Sequence, residues 1–180
     1  MKEMEFEPAA ELNYLAAGRR LMFCQVSDSV RVDFFLDEFR MCHSFAFGAR
    51  LDDEDVTLDL ADLLLTKLQA VSLAERDTAD LCALLLETRN SPMAFDLGRI
   101  VGICSHDWGW CTTALMALDR VAEGCSGLVQ ADRAECIRAV VLAIRNSIRS
   151  SPKSLRWRMR AMIGTRLRWY ELPDEIALTR

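Results

Sequence analysis

The densest group of chemically reactive residue types lies between Cys104 and Cys111, where two cysteines flank His106, Asp107 and Trp108. A cysteine activated by a histidine that is itself oriented by a carboxylate is the arrangement of a thiol nucleophile. Neighbouring residues on a helix point about 100° apart, however, and such a triad is assembled in space rather than along the sequence. We therefore interpret this segment as buried packing around a polar break, and keep a small-molecule site or thiol enzyme there as an alternative.

Motifs of other known chemistries are missing from the sequence. Neither histidine has a glutamate three residues before it, which excludes a carboxylate-bridged dimetal bundle, and there is no phosphate-binding glycine loop and no H-E-x-x-H helix. The seven cysteines form no C-x-x-C pair, so neither a disulfide framework nor a zinc site is indicated. We predict that the chain is not an enzyme, that it has no catalytic residues, metal or cofactor, and that its thiols are reduced.

Charge is divided unevenly along the chain. Residues 1–144 carry 13 Lys and Arg against 24 Asp and Glu, whereas residues 145–180 carry nine against three. A basic amphipathic helix with aromatic residues is typical of segments that bind an acidic protein surface, nucleic-acid phosphates or an anionic membrane surface. Because arginine and aromatic side chains dominate interface energetics, we predict a partner-binding face that comprises Arg149, Arg156, Trp157, Arg160, Arg166 and Trp169.

The predicted function is that of a protein-interaction module, such as an adaptor, regulator or inhibitor, whose partner is a protein with an acidic surface. Nucleic-acid binding through the same face is the first alternative, and it is less favoured because the whole chain has a net charge of −5. The basic segment could instead dock on the acidic remainder of its own chain. A homodimer is also kept open, because helical faces left over from a bundle often pair.

Length and composition predict a globular protein in one domain. The chain has 180 residues, of which 51% are hydrophobic and 27% charged. Charges interrupt every leucine-rich run, so no integral membrane association is expected. The acidic N-terminus lacks the apolar centre of a secretory signal, and we predict a cytoplasmic location.

Apolar residues recur mainly at intervals of three and four, which is the helical period. We therefore predict an all-α fold: a compact single-domain bundle of about seven to eight helices over residues 1–180, with a basic helical segment at 145–170. The first two helices are expected at about 8–26 and from about residue 30 to Gly48. The alternation of Val30, Val32 and Phe34 leaves a short strand open as an alternative.

The later helices are predicted from caps and breakers. Asp52–Asp55 should open the third helix, Ser72 the fourth, and Ser91-Pro92 the fifth, which we expect to be central and broken near Ser105 or its neighbouring glycines. The next helix should run from about Leu128 to Ser150. Ser151-Pro152 should start the last long helix, with Leu155, Met159, Met162 and Ile163 facing inward.

Overall fold

The computed structural model describes six stretches of the chain, which are residues 5–15, 20–26, 30–36, 38–47, 57–92 and 95–171. They belong to two compact units, one formed by residues 1–50 and 171–180 and the other by residues 51–170. The first unit contains strands, and the second is helical. The predicted all-α class is therefore wrong, whereas the grouping of residues 1–180 into a single domain stays a prediction.

A three-stranded antiparallel sheet replaces part of each of the first two predicted helices. Its strands are β1 (Phe6–Pro8), β2 (Arg20–Gln25) and β3 (Arg31–Phe35), and β2 lies in the centre. The register places Phe6 opposite Gln25 and Arg20 opposite Phe35. Burial alternates along the first half of β2, as it must when successive side chains point to opposite faces. The short strand that we kept open at Val30–Phe34 is thus the correct reading of that segment.

The remaining elements of the first unit are a short helix and a hairpin. Helix α1 (Ala10–Leu15) is fixed to β2 because the Asn13 side chain accepts from Met22 N at 2.6 Å and donates to Met22 O at 3.1 Å. Strands β4 (Glu38–Arg40) and β5 (Ser44–Ala46) pair antiparallel. These residues form extended structure because their backbone groups pair with those of a neighbouring strand, and the apolar spacing within one strand does not record that pairing.

Aromatic packing and ion pairs complete the first unit. The Phe39 ring lies 4.4 Å from the Phe35 ring and 5.7 Å from the Phe45 ring, measured between centroids. Glu171 joins this unit through a bidentate pair with Arg40, at 2.9 and 2.7 Å, and its N–H donates to Cys42 O at 2.9 Å. His43, predicted on a helix, lies buried between β4 and β5.

The second unit consists of six helices. They are α2 (Leu60–Leu68), α3 (Glu75–Asn90), α4 (Leu97–His106), α5 (Trp108–Gly124), α6 (Ala131–Ser150) and α7 (Leu155–Ile163). Among the described residues, the helices of this unit are thus fewer than the seven to eight predicted for one bundle. Two single 3₁₀ turns, Cys125–Gly127 and Gly164–Arg166, follow α5 and α7.

Helices α5 and α6 form the centre of the second unit. Helix α5 contacts α2, α3, α4, α6 and α7, which confirms that the segment around Cys111 to Val121 is central. The core side chains repeat every three or four residues, so each helix turns one apolar stripe inward. The largest fully buried side chains in this core are Leu64, Leu65, Leu68, Leu81, Leu85, Ile100, Leu118, Ile137, Ile144 and Ile148.

Aspartate caps set the starts of three helices. Asp59 accepts from Asp62 N at 2.9 Å, Asp96 from Arg99 N at 3.0 Å, and Asp107 from Trp110 N at 2.9 Å. A carboxylate at this position satisfies one of the free N–H groups of the first turn. The break predicted near Ser105 is confirmed and falls at Asp107. The helix starts predicted at Ser72, Ser91-Pro92, about Leu128 and Ser151-Pro152 lie before the observed starts of α3, α4, α6 and α7. The start predicted at Asp52–Asp55 lies outside the described residues.

Candidate interaction surface

Helix α7 carries half of the predicted binding residues, and its two ends are well defined. The Ser154 hydroxyl caps the N-terminus by accepting from Trp157 N at 3.2 Å. At the C-terminus Gly164 has φ +60°, a left-handed conformation that favours glycine. The Arg160 guanidinium then donates to Gly164 O at 2.6 Å and to Leu167 O at 2.8 Å, which holds the chain in its turn away from the helix.

The inner side of α7 faces α4 and α5. Trp157, Arg160 and Ala161 are half-buried there, and the Arg160 guanidinium lies 4.7 Å from the centroid of the Trp108 ring. Ser154 N donates to Ser105 O at 3.0 Å, which ties the start of α7 to the end of α4. Arg160 and Trp157 therefore hold α7 in place rather than present themselves to solvent.

The outer side of α7 is apolar and exposed, which corrects the prediction that these residues face inward. Met162 is 80% exposed, Leu155 70% and Met159 52%, and Ile163 is also exposed. At 3.6 residues per turn the first three lie within about 60° of one another. Arg156 and Arg158 flank this stripe on opposite sides. We call Leu155, Arg156, Arg158, Met159, Met162 and Ile163 the outer face of α7.

Charge on this part of the chain is largely unneutralised. Of the eight basic residues between 145 and 168, Arg145 pairs with a described carboxylate, that of Asp119, at 2.5 Å. Arg149, Arg156 and Arg166 are exposed and have no ion pair with any described carboxylate. The segment thus packs on the helical unit of its own chain through Trp157, Arg160 and Trp169, while these three exposed arginines have no described carboxylate as an ion-pair partner.

Trp169 lies against α5. Its indole Nε1 donates to Thr113 Oγ1 at 3.0 Å, and its ring meets the Trp108 ring edge-on at 5.9 Å and the Tyr170 ring at 5.3 Å. Of the six predicted binding residues, the structure thus leaves Arg149, Arg156 and Arg166 exposed and turns Trp157, Arg160 and Trp169 toward the helical unit. The apolar residues of the outer face escaped the sequence analysis because a helical apolar stripe was taken to face the core.

The cysteine segment forms a separate cluster beneath α7. Cys104 in α4 and Cys111 in α5 are both buried. The neighbouring Cys104 thiol, as a hydrogen-bond donor, lowers the pKa of Cys111 to about 7 against the opposing effect of burial, with help from the Lys153 ammonium and the Trp157 indole. The Cys111 sulfur, together with burial, raises the pKa of Cys104 well above its usual value.

His106 does not complete a cysteine–histidine pair. Its Nδ1 lies 2.8 Å from Gly102 O, to which it donates, and its side chain is exposed, whereas both thiols are buried. The cations and donors near the thiols come instead from Lys153 and Trp157, which the sequence places more than 40 residues away. Sequence reasoning missed them because a contact between segments so far apart leaves no local pattern.

The described residues contain neither a candidate metal site nor a helix that could span a membrane. No group of three or more His, Cys, Asp or Glu side chains there could hold a metal ion. No described helix combines the length and apolar character needed to cross a bilayer. Comparisons of the chain with models of known families, with curated proteins and with solved structures returned no match.

Proposed function

We propose that this chain is a protein-interaction module that binds its partner through the outer face of α7. The observation that carries the proposal is the exposed apolar stripe of Leu155, Met159 and Met162 between two arginines. Single exposed apolar side chains are common on soluble proteins, but a contiguous set with a polar rim marks an interaction site. Methionine suits such a site because its flexible thioether side chain adapts to the surface that it meets.

The chemistry of the outer face specifies the kind of partner. An amphipathic helix buries its apolar side chains in a groove that accepts residues at intervals of three and four. Arg156 and Arg158 would lie at the rim of that groove, where carboxylates of the partner would steer association and select orientation. The partner is thus a protein with an apolar groove bordered by acidic residues.

Nucleic-acid binding is the second candidate function. It is supported by the exposed guanidinium groups of Arg149, Arg156 and Arg166, which have no ion pair with a described carboxylate. Phosphate contacts by arginine would make the affinity fall steeply with added salt. The apolar centre of the outer face gives phosphates nothing to bind, and for that reason the protein partner is favoured.

The test is a comparison of three forms of the full chain as bait in native lysate, with quantitative mass spectrometry of what each retains. The double variant Met159→Glu/Met162→Glu places charge in the centre of the outer face. The matched control is Leu142→Glu, which changes an exposed apolar residue on α6 by the same chemistry. We expect proteins retained by the wild type and by the control to be lost from the double variant, because each buried unpaired carboxylate would cost several kcal/mol.

A second double variant separates the partner classes. Arg156→Glu/Arg166→Glu reverses two arginines without touching Arg160, whose hydrogen bonds maintain the turn after α7. A protein partner predicts that both double variants weaken capture. If a labelled single-stranded RNA or vesicles of anionic lipid bind the wild type more tightly than any captured protein, or if Met159→Glu/Met162→Glu retains the same proteins as wild type, the proposal of a protein partner is wrong.

A further inference from the structure

The three-stranded sheet of the first unit has two edges, and they differ. Strand β1 forms one of them. Ala9 N donates to Met22 O at 2.9 Å, and in an antiparallel ladder every second residue turns its backbone groups toward the partner strand. The intervening residues, Phe6 and Pro8, therefore turn theirs outward. Since proline has no N–H, the β1 edge offers an added strand an incomplete row of donors.

Strand β3 forms the other edge, and there the backbone groups are available. Gln25 N donates to Val30 O at 2.9 Å, and this pairing repeats at every second residue of the ladder. The N–H and C=O groups of Asp33 and Phe35 therefore point away from β2. Within the described residues no backbone group bonds to them, because β4 pairs with β5 in a sheet of its own. Such an edge is a template for a further strand.

The side chains of the β3 edge are apolar on one face of the sheet. Val30, just before β3, is 47% exposed and Phe34 is 51% exposed, and Val32 lies between them. The Phe34 ring meets the Phe23 ring of β2 edge-on at 5.7 Å, which orients it. Neither proline nor a bulge, both of which close native edges, interrupts β3. An added strand would cover this apolar face.

The other face of the β3 edge carries one charge of each sign. Asp33 pairs with Arg20 of β2 at 3.0 Å and lies 3.4 Å from Arg31. Charges of a single sign would keep similar edges apart. Arg31 and Asp33 instead form a pattern that complements its own reverse, because an antiparallel copy presents a carboxylate where this strand presents a guanidinium. The strand that fits this edge best is therefore β3 of a second copy.

We propose that the β3 edges of two copies of this chain pair antiparallel and form a symmetric dimer with one continuous sheet. A two-fold axis places one residue opposite its own counterpart. With Asp33 on the axis, two carboxylates would face each other, which is unfavourable. With Phe34 on the axis, each Asp33 would face a phenyl ring, that of Phe35. Val32 on the axis avoids both conflicts.

The register with Val32 on the axis pairs the side chains favourably. Arg31 of each copy lies opposite Asp33 of the other, so two opposite-charge pairs form, and Val30 lies opposite Phe34, which is an aromatic pair with a β-branched residue. Val32 occupies a non-hydrogen-bonded position, where opposite Cα atoms are about 4.5 Å apart. The assembly is closed, because only the β1 edges remain at its two ends.

Sedimentation velocity of the full chain, from about 1 µM to about 1 mM, tests for the dimer, since an edge of five residues forms a small and weak interface. Arg31→Glu turns two opposite-charge pairs into like-charge pairs and should raise the dissociation constant of the dimer about tenfold. The matched control is Arg149→Glu, which reverses an exposed arginine on α6. A monomer throughout this range, or an unchanged dissociation constant in Arg31→Glu, overturns the proposal.

Cysteine cross-linking tests the register. Val32→Cys places two thiols opposite each other within the distance that a disulfide spans. Val30→Cys is the matched control, because its two introduced thiols would lie about 13 Å apart along the strands. Mild oxidation should link two copies of Val32→Cys and leave Val30→Cys at the level of the wild type, which reports on native thiols such as exposed Cys24. Equal cross-linking of the two variants overturns the proposal.

The dimer does not rest on the proposed binding by α7, and variants already described separate the two. Met159→Glu/Met162→Glu should leave the dissociation constant of the dimer unchanged, and Arg31→Glu should leave the capture of partners unchanged. If the double variant abolishes the dimer, the two copies meet through α7 and the pairing of β3 is wrong.

Discussion

Asp107 ends α4 and begins α5, and its replacement by alanine should destabilise the helical unit by a predictable amount. The carboxylate accepts from Trp110 N at 2.9 Å and lies at the positive end of a 17-residue helix. Loss of an N-cap side chain costs about 1 kcal/mol, and loss of a negative charge at a helix N-terminus about 0.5 kcal/mol. We therefore expect Asp107→Ala to lower the free energy of unfolding by about 1.5 kcal/mol.

The assay is urea unfolding followed by far-ultraviolet circular dichroism. With a denaturant slope of about 2 kcal/mol per molar, the midpoint should fall by about 0.5 to 1 M without a change in slope. Asp107→Asn keeps a capping oxygen and loses only the charge, so it should shift the midpoint by about a third as much. Asp132→Ala is the matched control, since this exposed carboxylate lies in the first turn of α6 but is not its cap.

Three results would refute this reasoning. If Asp107→Ala unfolds at the midpoint of the wild type, the hydrogen bond to Trp110 N does not stabilise α5. If Asp107→Asn is as unstable as Asp107→Ala, the charge rather than the cap is responsible. If Asp132→Ala loses as much stability as Asp107→Ala, the charge rather than the cap is again responsible.

Two further predictions concern the helical unit. Ile144→Ala should lower the free energy of unfolding by about 3 kcal/mol, because Ile144 is fully buried in α6. Leu142→Ala changes an exposed residue of the same helix and should lower it by less than about 1 kcal/mol. Equal urea midpoints of the two variants would contradict the assignment of the α6 faces. Gly164→Ala should destabilise the end of α7 by about 1 to 3 kcal/mol, since φ +60° strains any residue with a Cβ although no atom blocks the site. Faster hydrogen exchange of the α7 amides would measure that effect, and unchanged exchange would contradict it.

Much of the helical unit could be predicted from sequence because its information is local. Apolar residues at intervals of three and four predict helices where α5 and α6 lie, and the polar break around Ser105 predicts the boundary that Asp107 forms. The helix starts were less accurate. Several residues in each linker can cap a helix, and the choice depends on where packing against neighbouring helices begins.

The strands of the first unit were largely misread as helices. Leu15, Met22 and Val26 are spaced as on a helix, yet Gly18 and the turn-forming run at 27–29 bracket residues 20–26 as a short extended segment. That signal was present and was outweighed by the helical period elsewhere. Pairing of β2 with both β1 and β3 decides the matter, because a strand is stabilised by the strands and side chains that it packs against rather than by its own residues alone.

The sequence by itself determined the mainly helical character of residues 60–92 and 95–163, the excess of positive charge after residue 144 and a helix break near Ser105. Only the tertiary structure decided which side of α7 is exposed, since Trp157 and Ala161 compete with Leu155 and Met159 for the inner position and both pairs are apolar. The physical reason is that periodicity records only that a helix has two faces, and packing against the rest of the unit selects the one that is buried.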